Sequence, residues 1–270
     1  MNASDIVRID PLQLKTLALG LLLVQARLMP MFLLLPMMNR TMVPRTVLFA
    51  IAAGFGVLVL PTLHVPADLG KDAPMLLLIL GKEAVIGLLL GFLLALPFWL
   101  FEAIGFIVDN QRGANMAAML NPLTGSESTP MGLLMNMAFI TFYISIGGMH
   151  VLLGVVYDSY KLWDPFQFCP HFDAAFADLV FPQLNRMLQH CLLLAAPAML
   201  VMLLAELSLA LISRFTPQLQ VFFLAMPIKS ALGIFMLAIS VGMLLDIARE
   251  HIEGGRHWIK WLAPVLQGGA

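Results

Sequence analysis

The sequence predicts an all-α protein with several membrane-crossing helices and a C-terminal helical hairpin. Of its 270 residues, 60% are hydrophobic and only 11% are charged, whereas a soluble domain carries about 25% charged residues. Six apolar stretches reach about 17 residues or more, long enough to span the hydrocarbon of a bilayer as helices. The mean hydropathy is +0.91. A helical protein covered on all sides by partner subunits would have the same composition.

Charges are rare inside the apolar runs of the N-terminal half. Arg27 lies within the first run, Leu12–Leu35, and should face protein or water because a guanidinium is costly in lipid. The second run, Val47–Leu63, is short for a span. Lys82 and Glu83 are adjacent in the third run, so on a helix they should point in different directions and form no face-to-face pair.

The third run, Met75–Val108, is too long for one untilted crossing, and Pro97 is expected to divide it. Gly87 and Gly91 form a GxxxG motif, which allows a second helix to pack closely. This motif also arises by chance in apolar sequence, so the helix contact rests on spacing alone. The fourth run, Leu133–Val156, is long enough to span as a helix and contains Gly147, Gly148 and Gly154.

The last two runs, Met187–Ile212 and Val221–Leu245, should form an antiparallel hairpin because their connection is short. Glu206 and Lys229 then lie within about 5 Å of each other in depth, at a rise of about 1.5 Å per residue. They would form a buried charge pair, which offsets the cost of burying either group. Alternatively, each side chain faces a separate aqueous or subunit surface.

A polar, turn-rich stretch between two apolar runs, residues 109–132, is called the central loop here. Structureless loops of this length are uncommon in compact proteins and are usually functional or disordered. The loop has an apolar middle and few charges, which favours an ordered loop against a cavity, with amides directed at water or at each other. The alternative is an ordinary surface loop between two membrane helices.

Motifs for catalysis, metal binding and nucleotide binding are absent from the sequence, which contains no HExxH, GxSxG, P-loop or GxGxxG. No cofactor is therefore predicted. A formal net charge of −1 and the lack of a basic run argue against nucleic-acid binding. Cys169 and Cys191 form no CxxC motif, and a disulfide between them is weakly supported.

Two segments resemble the FliR/SpaR/SctT family, the inner-membrane export-apparatus proteins of type III secretion systems. The first is Asp109-Asn-Gln-Arg-Gly-Ala114 with Asn121-Pro122, Gly125 and Glu127-Ser-Thr-Pro130; the second is Ser213-Arg-Phe-Thr-Pro-Gln218 with Ala225-Met-Pro-Ile-Lys-Ser230. The resemblance covers nearly the whole chain. Both segments look like the virulence (injectisome) branch and differ from the flagellar branch.

The resemblance implies a non-enzymatic subunit of a helical, cone-like export gate in the bacterial inner membrane, raised above the bilayer plane when assembled. One copy would join several copies of the SctR-type and SctS-type subunits, with other export-apparatus proteins at the base, and unfolded secreted proteins would pass through. Within this single subunit, residues 1–157 would be SctR-like, 158–186 an aromatic and acidic connection, 187–246 an SctS-like hairpin and 247–270 a polar, amphipathic tail. Partner subunits, rather than membrane lipid, would then cover much of the apolar surface.

In this family the central loop helps to plug the closed pore. Carried over to this chain, the gate loop comprises Asn110, Gln111, Arg112, Gly113, Asn121, Pro122, Gly125, Glu127 and Ser128. An amide-rich loop can hydrogen-bond to itself, and it can move aside without stranding a buried charge. The alternative function is a secondary transporter that uses Glu206 and Lys229 for ion or solute coupling.

Overall fold

The computed structural model describes residues 11–38, 43–63, 66, 72–113, 129–166, 174–215 and 221–255, and in these ranges it contains seven α-helices and no strand. The helices are α1 (Pro11–Leu34), α2 (Arg45–Val59), α3 (Ala73–Arg112), α4 (Pro130–Ser145), α5 (Gly148–Leu162), α6 (Ala174–Phe215) and α7 (Val221–Gly255). Short 3-10 turns follow α1 and α2, at Pro36–Met38 and Leu60–Thr62. The predicted all-α class is confirmed.

Four stretches within these helices are long and apolar enough to cross a membrane: Leu14–Leu34, Ala73–Arg112, Val180–Phe215 and Leu224–Gly255. Helices α4 and α5 bend by 77° at their junction and make a fifth span if they are counted together. Helix α2 has only 15 residues, fewer than a span needs. Over the described residues, six apolar stretches thus give four or five candidate spans.

The breaks between helices differ from the sequence prediction at one place, Pro97. Helix α3 continues for 40 residues through Pro97, so the expected division there was wrong. In an apolar setting the helical backbone stays favoured on both sides of a proline, because it keeps the remaining polar groups paired. The fourth run instead breaks at Gly147, whose φ of +81° separates α4 from α5.

The chain forms two compact units. Of the described residues, the first unit contains those within 11–95 and 154–166, and the second contains those within 96–153 and 174–255. Helices α3 and α5 contribute residues to both.

In the first unit, α1 and α3 pack backbone against backbone at two glycines of α3. A Cβ atom added to Gly87 would collide with the carbonyl oxygen of Arg27, and one added to Gly91 would lie 2.8 Å from the Cα and carbonyl oxygen of Met31. Gly87 thus contacts Arg27 and Gly91 contacts Met31, so two positions four residues apart on α3 meet two positions four apart on α1. This is expected for helices in close contact through small residues.

The same contact buries Arg27, which is fully inaccessible to solvent. Its Nε donates to Oε2 of Glu83 on α3 at 2.6 Å, and its Nη1 donates to the hydroxyl of Ser159 at 3.2 Å. Its Nη2 donates to the carbonyl oxygen of Trp163 at 3.0 Å. Arg27 thus faces protein and links α1 to α3 and to the end of α5.

Lys82 joins this cluster, contrary to the prediction from its adjacency to Glu83. Its Nζ lies 3.3 Å from Oε1 of Glu83 and donates to the carbonyl oxygen of Pro165 at 2.6 Å. The expectation that the two side chains point apart was wrong because the long, flexible lysine stem reaches back towards the segment after α5. The buried carboxylate of Glu83 consequently faces two cations.

In the second unit, an aromatic cluster joins the C-terminal half of α3 to α4. Phe101 and Phe139 stack with ring centroids 4.5 Å apart, and Phe98 meets Phe139 edge to face at 4.8 Å. Tyr143 lies one helical turn further along α4, with its centroid 5.1 Å from that of Phe98. These contacts hold α4 beside α3.

Helices α6 and α7 pair as an antiparallel hairpin, because contacting positions fall along α7 as they rise along α6. The contacting pairs are His190 with His251, Met202 with Gly233, and Glu206 with Lys229. The predicted hairpin is confirmed. Its first helix begins at Ala174, within the 158–186 connection.

We expect Gly87→Ala and Gly91→Ala each to lower the free energy of unfolding by about 1–3 kcal/mol, the usual effect of overpacking. The added methyl group would meet backbone atoms of α1, which cannot rotate away. Titration of the detergent-solubilised protein with SDS would measure the change.

Gly81→Ala on the same helix is the matched control. A Cβ atom at that position has no neighbour within 4 Å, so this variant should gain about 0.4–1 kcal/mol from reduced flexibility of the unfolded chain. Equal effects at positions 81 and 87 would contradict the close helix contact.

Candidate functional site: the base of the central loop

The structure describes both ends of the central loop. Asn110, Gln111 and Arg112 form the last turn of α3, so the prediction that they lie in a loop was wrong. The helix extends this far because a basic side chain is favourable in a last turn and Gly113, with φ +81°, supplies the left-handed residue that ends it. The remaining predicted loop residues lie outside the described residues: Asn121, Pro122, Gly125, Glu127 and Ser128.

Asp109 ties the end of α3 to the start of α4. Its carboxylate is fully buried, and Oδ2 accepts a hydrogen bond from the backbone N–H of Met131 at 2.7 Å. Its other oxygen, Oδ1, lies 2.5 Å from Nη2 of Arg112. A carboxylate in the last turn of a helix opposes the helix dipole. The arginine and the N–H groups at the start of α4 compensate, since a helix N-terminus favours an anion.

The first turn of α4 is capped and closely packed against α3. The hydroxyl of Thr129 accepts from the N–H of Gly132 at 3.2 Å, and Pro130 occupies the first turn. On the facing side, a Cβ atom added to Gly105 would lie 2.5 Å from the carbonyl oxygen of Met131. The two backbones therefore touch where α4 begins.

A second polar contact joins the same helices about two turns away from the loop. Nδ2 of Asn136, which is buried, donates to Oε2 of Glu102 at 3.1 Å. With the Asp109 contact it holds α4 against α3, the two helices that flank residues 114–128. Neither contact was predicted. The Thr129-Pro130 pair is the sequence signal that could have located this capped helix start.

Glu206 and Lys229 come together on the hairpin, where Lys229 Nζ donates to Glu206 Oε2 at 2.9 Å. The lysine side chain is only 12% exposed, whereas that of the glutamate is 52% exposed. The sequence predicted a buried pair, and in the structure only the lysine side is mostly buried. The reason is that Glu206 lies on a face of α6 that the rest of the described chain leaves uncovered.

The helices and the candidate spans define a multi-pass membrane protein of the all-α class. The chain belongs to the family described as bacterial export proteins, family 1, whose model matches residues 18–255. It is 39% identical over 242 residues to the Yop proteins translocation protein T of Yersinia pestis, covering 89% of this chain and 93% of that protein. The family predicted from the two sequence segments is confirmed.

Two further relatives come from different systems. The chain is 35% identical over 216 residues to the surface presentation of antigens protein SpaR of Salmonella typhimurium, covering 78% of this chain and 79% of that one. It is 28% identical over 230 residues to the flagellar biosynthetic protein FliR of Bacillus subtilis, covering 85% and 88% respectively.

We expect Asp109→Ala to lower the free energy of unfolding by about 3–5 kcal/mol, the effect of removing one partner of a buried ion pair. The substitution leaves the guanidinium of Arg112 without its anion and the N–H of Met131 without its acceptor. Chemical denaturation of the solubilised chain would measure the loss.

Asp158→Ala provides the control, because Asp158 and Lys161 form an acid–base pair with the same spacing on an exposed helix surface. An exposed pair contributes about 0–1 kcal/mol. If both alanine variants lost the same stability, Asp109 would not hold the base of the loop.

For the hairpin pair, we expect Glu206→Gln alone to destabilise the chain more than the double variant Glu206→Gln/Lys229→Met. The single change leaves a mostly covered ammonium without its carboxylate, and the double change removes that charge too. A double-mutant cycle would report the coupling energy. Additive losses would show that the contact contributes nothing.

Proposed function

We propose that this component of the type III secretion export apparatus forms part of the channel wall, and that its central loop closes the channel between transport events. Its partners would be SctR-type and SctS-type subunits in the bacterial inner membrane, with other apparatus proteins at the base and unfolded secreted proteins as cargo. The role is structural and gating, without a catalytic step.

The observation that carries the gating role is the clamp at Asp109. It joins the last turn of α3 to the first turn of α4, so the segment 114–128 is tethered at both ends. A tethered segment can change position while its base remains folded. Asp109 and Arg112 are paired with each other, so a movement of the segment leaves neither of these two charges unpaired.

The uncovered surface of the hairpin supports assembly with other subunits. Only 28% and 22% of the apolar windows of α6 and α7 are buried, against 67% for α3. Glu206 interrupts this surface nine residues before Phe215 ends α6, roughly 14 Å along the helix axis. A half-exposed carboxylate at that depth is expensive in lipid, which favours a polar or subunit contact there.

The relatives favour the virulence branch over the flagellar branch, since identity falls from 39% with the Yersinia protein to 28% with the flagellar protein. The transporter alternative is not favoured, because the chain belongs to a family of export proteins.

The test is to replace residues 114–128 with a glycine–serine segment of equal length, which leaves Asp109, Thr129 and Met131 in place. We expect the variant to copurify with its small membrane partners as the wild type does, because the base is intact. The closed channel should nevertheless conduct ions, measured as current through the purified assembly in planar bilayers.

The control variant is Asp158→Ala, which changes an exposed site. The channel of the assembly that contains this variant should stay closed. A loop-replaced assembly that forms normally and is as tight to ions as the wild type would refute the gating role. It would leave the structural role unaffected.

A further inference from the structure

Two histidines face each other across the hairpin, in a place that the proposed function does not use. Nδ1 of His190 on α6 lies 3.4 Å from Nε2 of His251 on α7, and the ring centroids are 5.1 Å apart with an interplanar angle of 75°. Both rings are half-buried. His251 lies four residues, about 6 Å along the axis, before Gly255 ends α7. Because both rings are partly exposed, an ion can reach them from outside the described chain.

The hydrogen bonding of His251 leaves its Nε2 free to act as a ligand. Its Nδ1 lies 2.9 Å from the carbonyl oxygen of Ile247. A carbonyl oxygen only accepts, so Nδ1 must carry the proton, and in the neutral ring Nε2 holds a lone pair. A histidine that ligates a metal typically donates its other N–H to such a group, which fixes the tautomer and orients the ring.

The separation of the two nitrogens suits a shared metal better than a direct hydrogen bond. At 3.4 Å it exceeds the usual range of about 2.7–3.2 Å for an N–H donor and its acceptor. Two nitrogens bound to one tetrahedral zinc ion at about 2.0–2.1 Å lie about 3.3 Å apart, and the ring centroids then lie about 5 Å apart. The separations in the structure, 3.4 Å between the nitrogens and 5.1 Å between the centroids, are close to these values.

We propose that His190 and His251 bind one divalent transition-metal ion of the kind that imidazole prefers, namely zinc, nickel or copper. The ion would bridge α6 and α7 at the end of the hairpin far from the connection 216–220. In the part of the chain that the structure describes, no group of three or more His, Cys, Asp and Glu side chains could hold a metal. The remaining ligands would therefore be water molecules or a side chain of a partner subunit.

The experiment uses the full chain in its purified assembly, isolated with a tag that contains no histidine and stripped of metal by a chelator. Zinc or nickel is added, unbound metal is removed by gel filtration, and the metal bound per chain is counted by mass spectrometry. We expect His190→Ala and His251→Ala each to bind one ion fewer per chain than the wild type. His150→Ala, a change at an exposed histidine of α5, should bind as many as the wild type.

Two readouts on the wild type keep the proposal testable if a histidine variant fails to fold. Metal at about a hundred times its dissociation constant should raise the melting temperature by about 5–10 °C, reversibly on addition of chelator. Electron paramagnetic resonance of the copper-loaded protein should show coupling to two imidazole nitrogens. A wild-type protein with no metal-dependent shift, or copper coupled to one nitrogen, would overturn the proposal and leave only a proton shared by the two rings.

Discussion

The pairing of buried charge within apolar helices is the constraint on which this structure depends, and Arg27 shows it most clearly. A guanidinium near the centre of a membrane helix costs about 2.5–3.5 kcal/mol on insertion scales. Here it donates to Glu83, Ser159 and Trp163, and its carbon Cζ lies 3.9 Å from the ring centroid of Tyr160. The 2.6 Å contact with Glu83 requires α1 and α3 to lie close together. Gly87 permits that approach, so the glycine and the ion pair depend on each other.

The same constraint places the clamp beneath the central loop. Asp109 is buried at a helix C-terminus, where the dipole disfavours a carboxylate. It is stable there because the start of α4 and the side chain of Arg112 both face it. The two helix ends are consequently tied by a contact that neither helix could satisfy alone. This arrangement gives a fixed base to a loop whose own sequence is rich in amides.

The sequence predicted the helical class and the hairpin because both follow from local properties, namely apolar length and a short connection. Helix ends were predicted less well because they depend on tertiary contacts. Asn110, Gln111 and Arg112 look like loop residues in isolation, yet Asp109 and Gly113 allow α3 to include them. Pro97 reads as a break, yet the packed surroundings keep the helix continuous.

The sequence also could not predict which residues contact each other within the chain. Arg27 was expected to face protein or water, but nothing in its neighbourhood pointed to Glu83, which lies 56 residues away. The spacing of Gly87 and Gly91 likewise says that some helix comes close, without saying that it is α1. Adjacency led to a wrong prediction for Lys82, because a lysine stem is long enough to redirect its charge. Such pairings are set by tertiary structure alone.

Three paired carboxylates, those of Glu83, Asp109 and Glu206, differ in how much of each the chain itself covers. This difference separates contacts that stabilise the single chain from surfaces left for assembly. Glu83 and Asp109 have fully covered carboxylates, so their pairs are complete within one chain. The carboxylate of Glu206 remains half-exposed although Lys229 is nearly covered. In lipid, a carboxylate that faces outward on a helix rich in exposed leucine would be energetically costly. Within the described residues, the exposed half of this pair is therefore the observation that best supports the proposal that another subunit covers the hairpin.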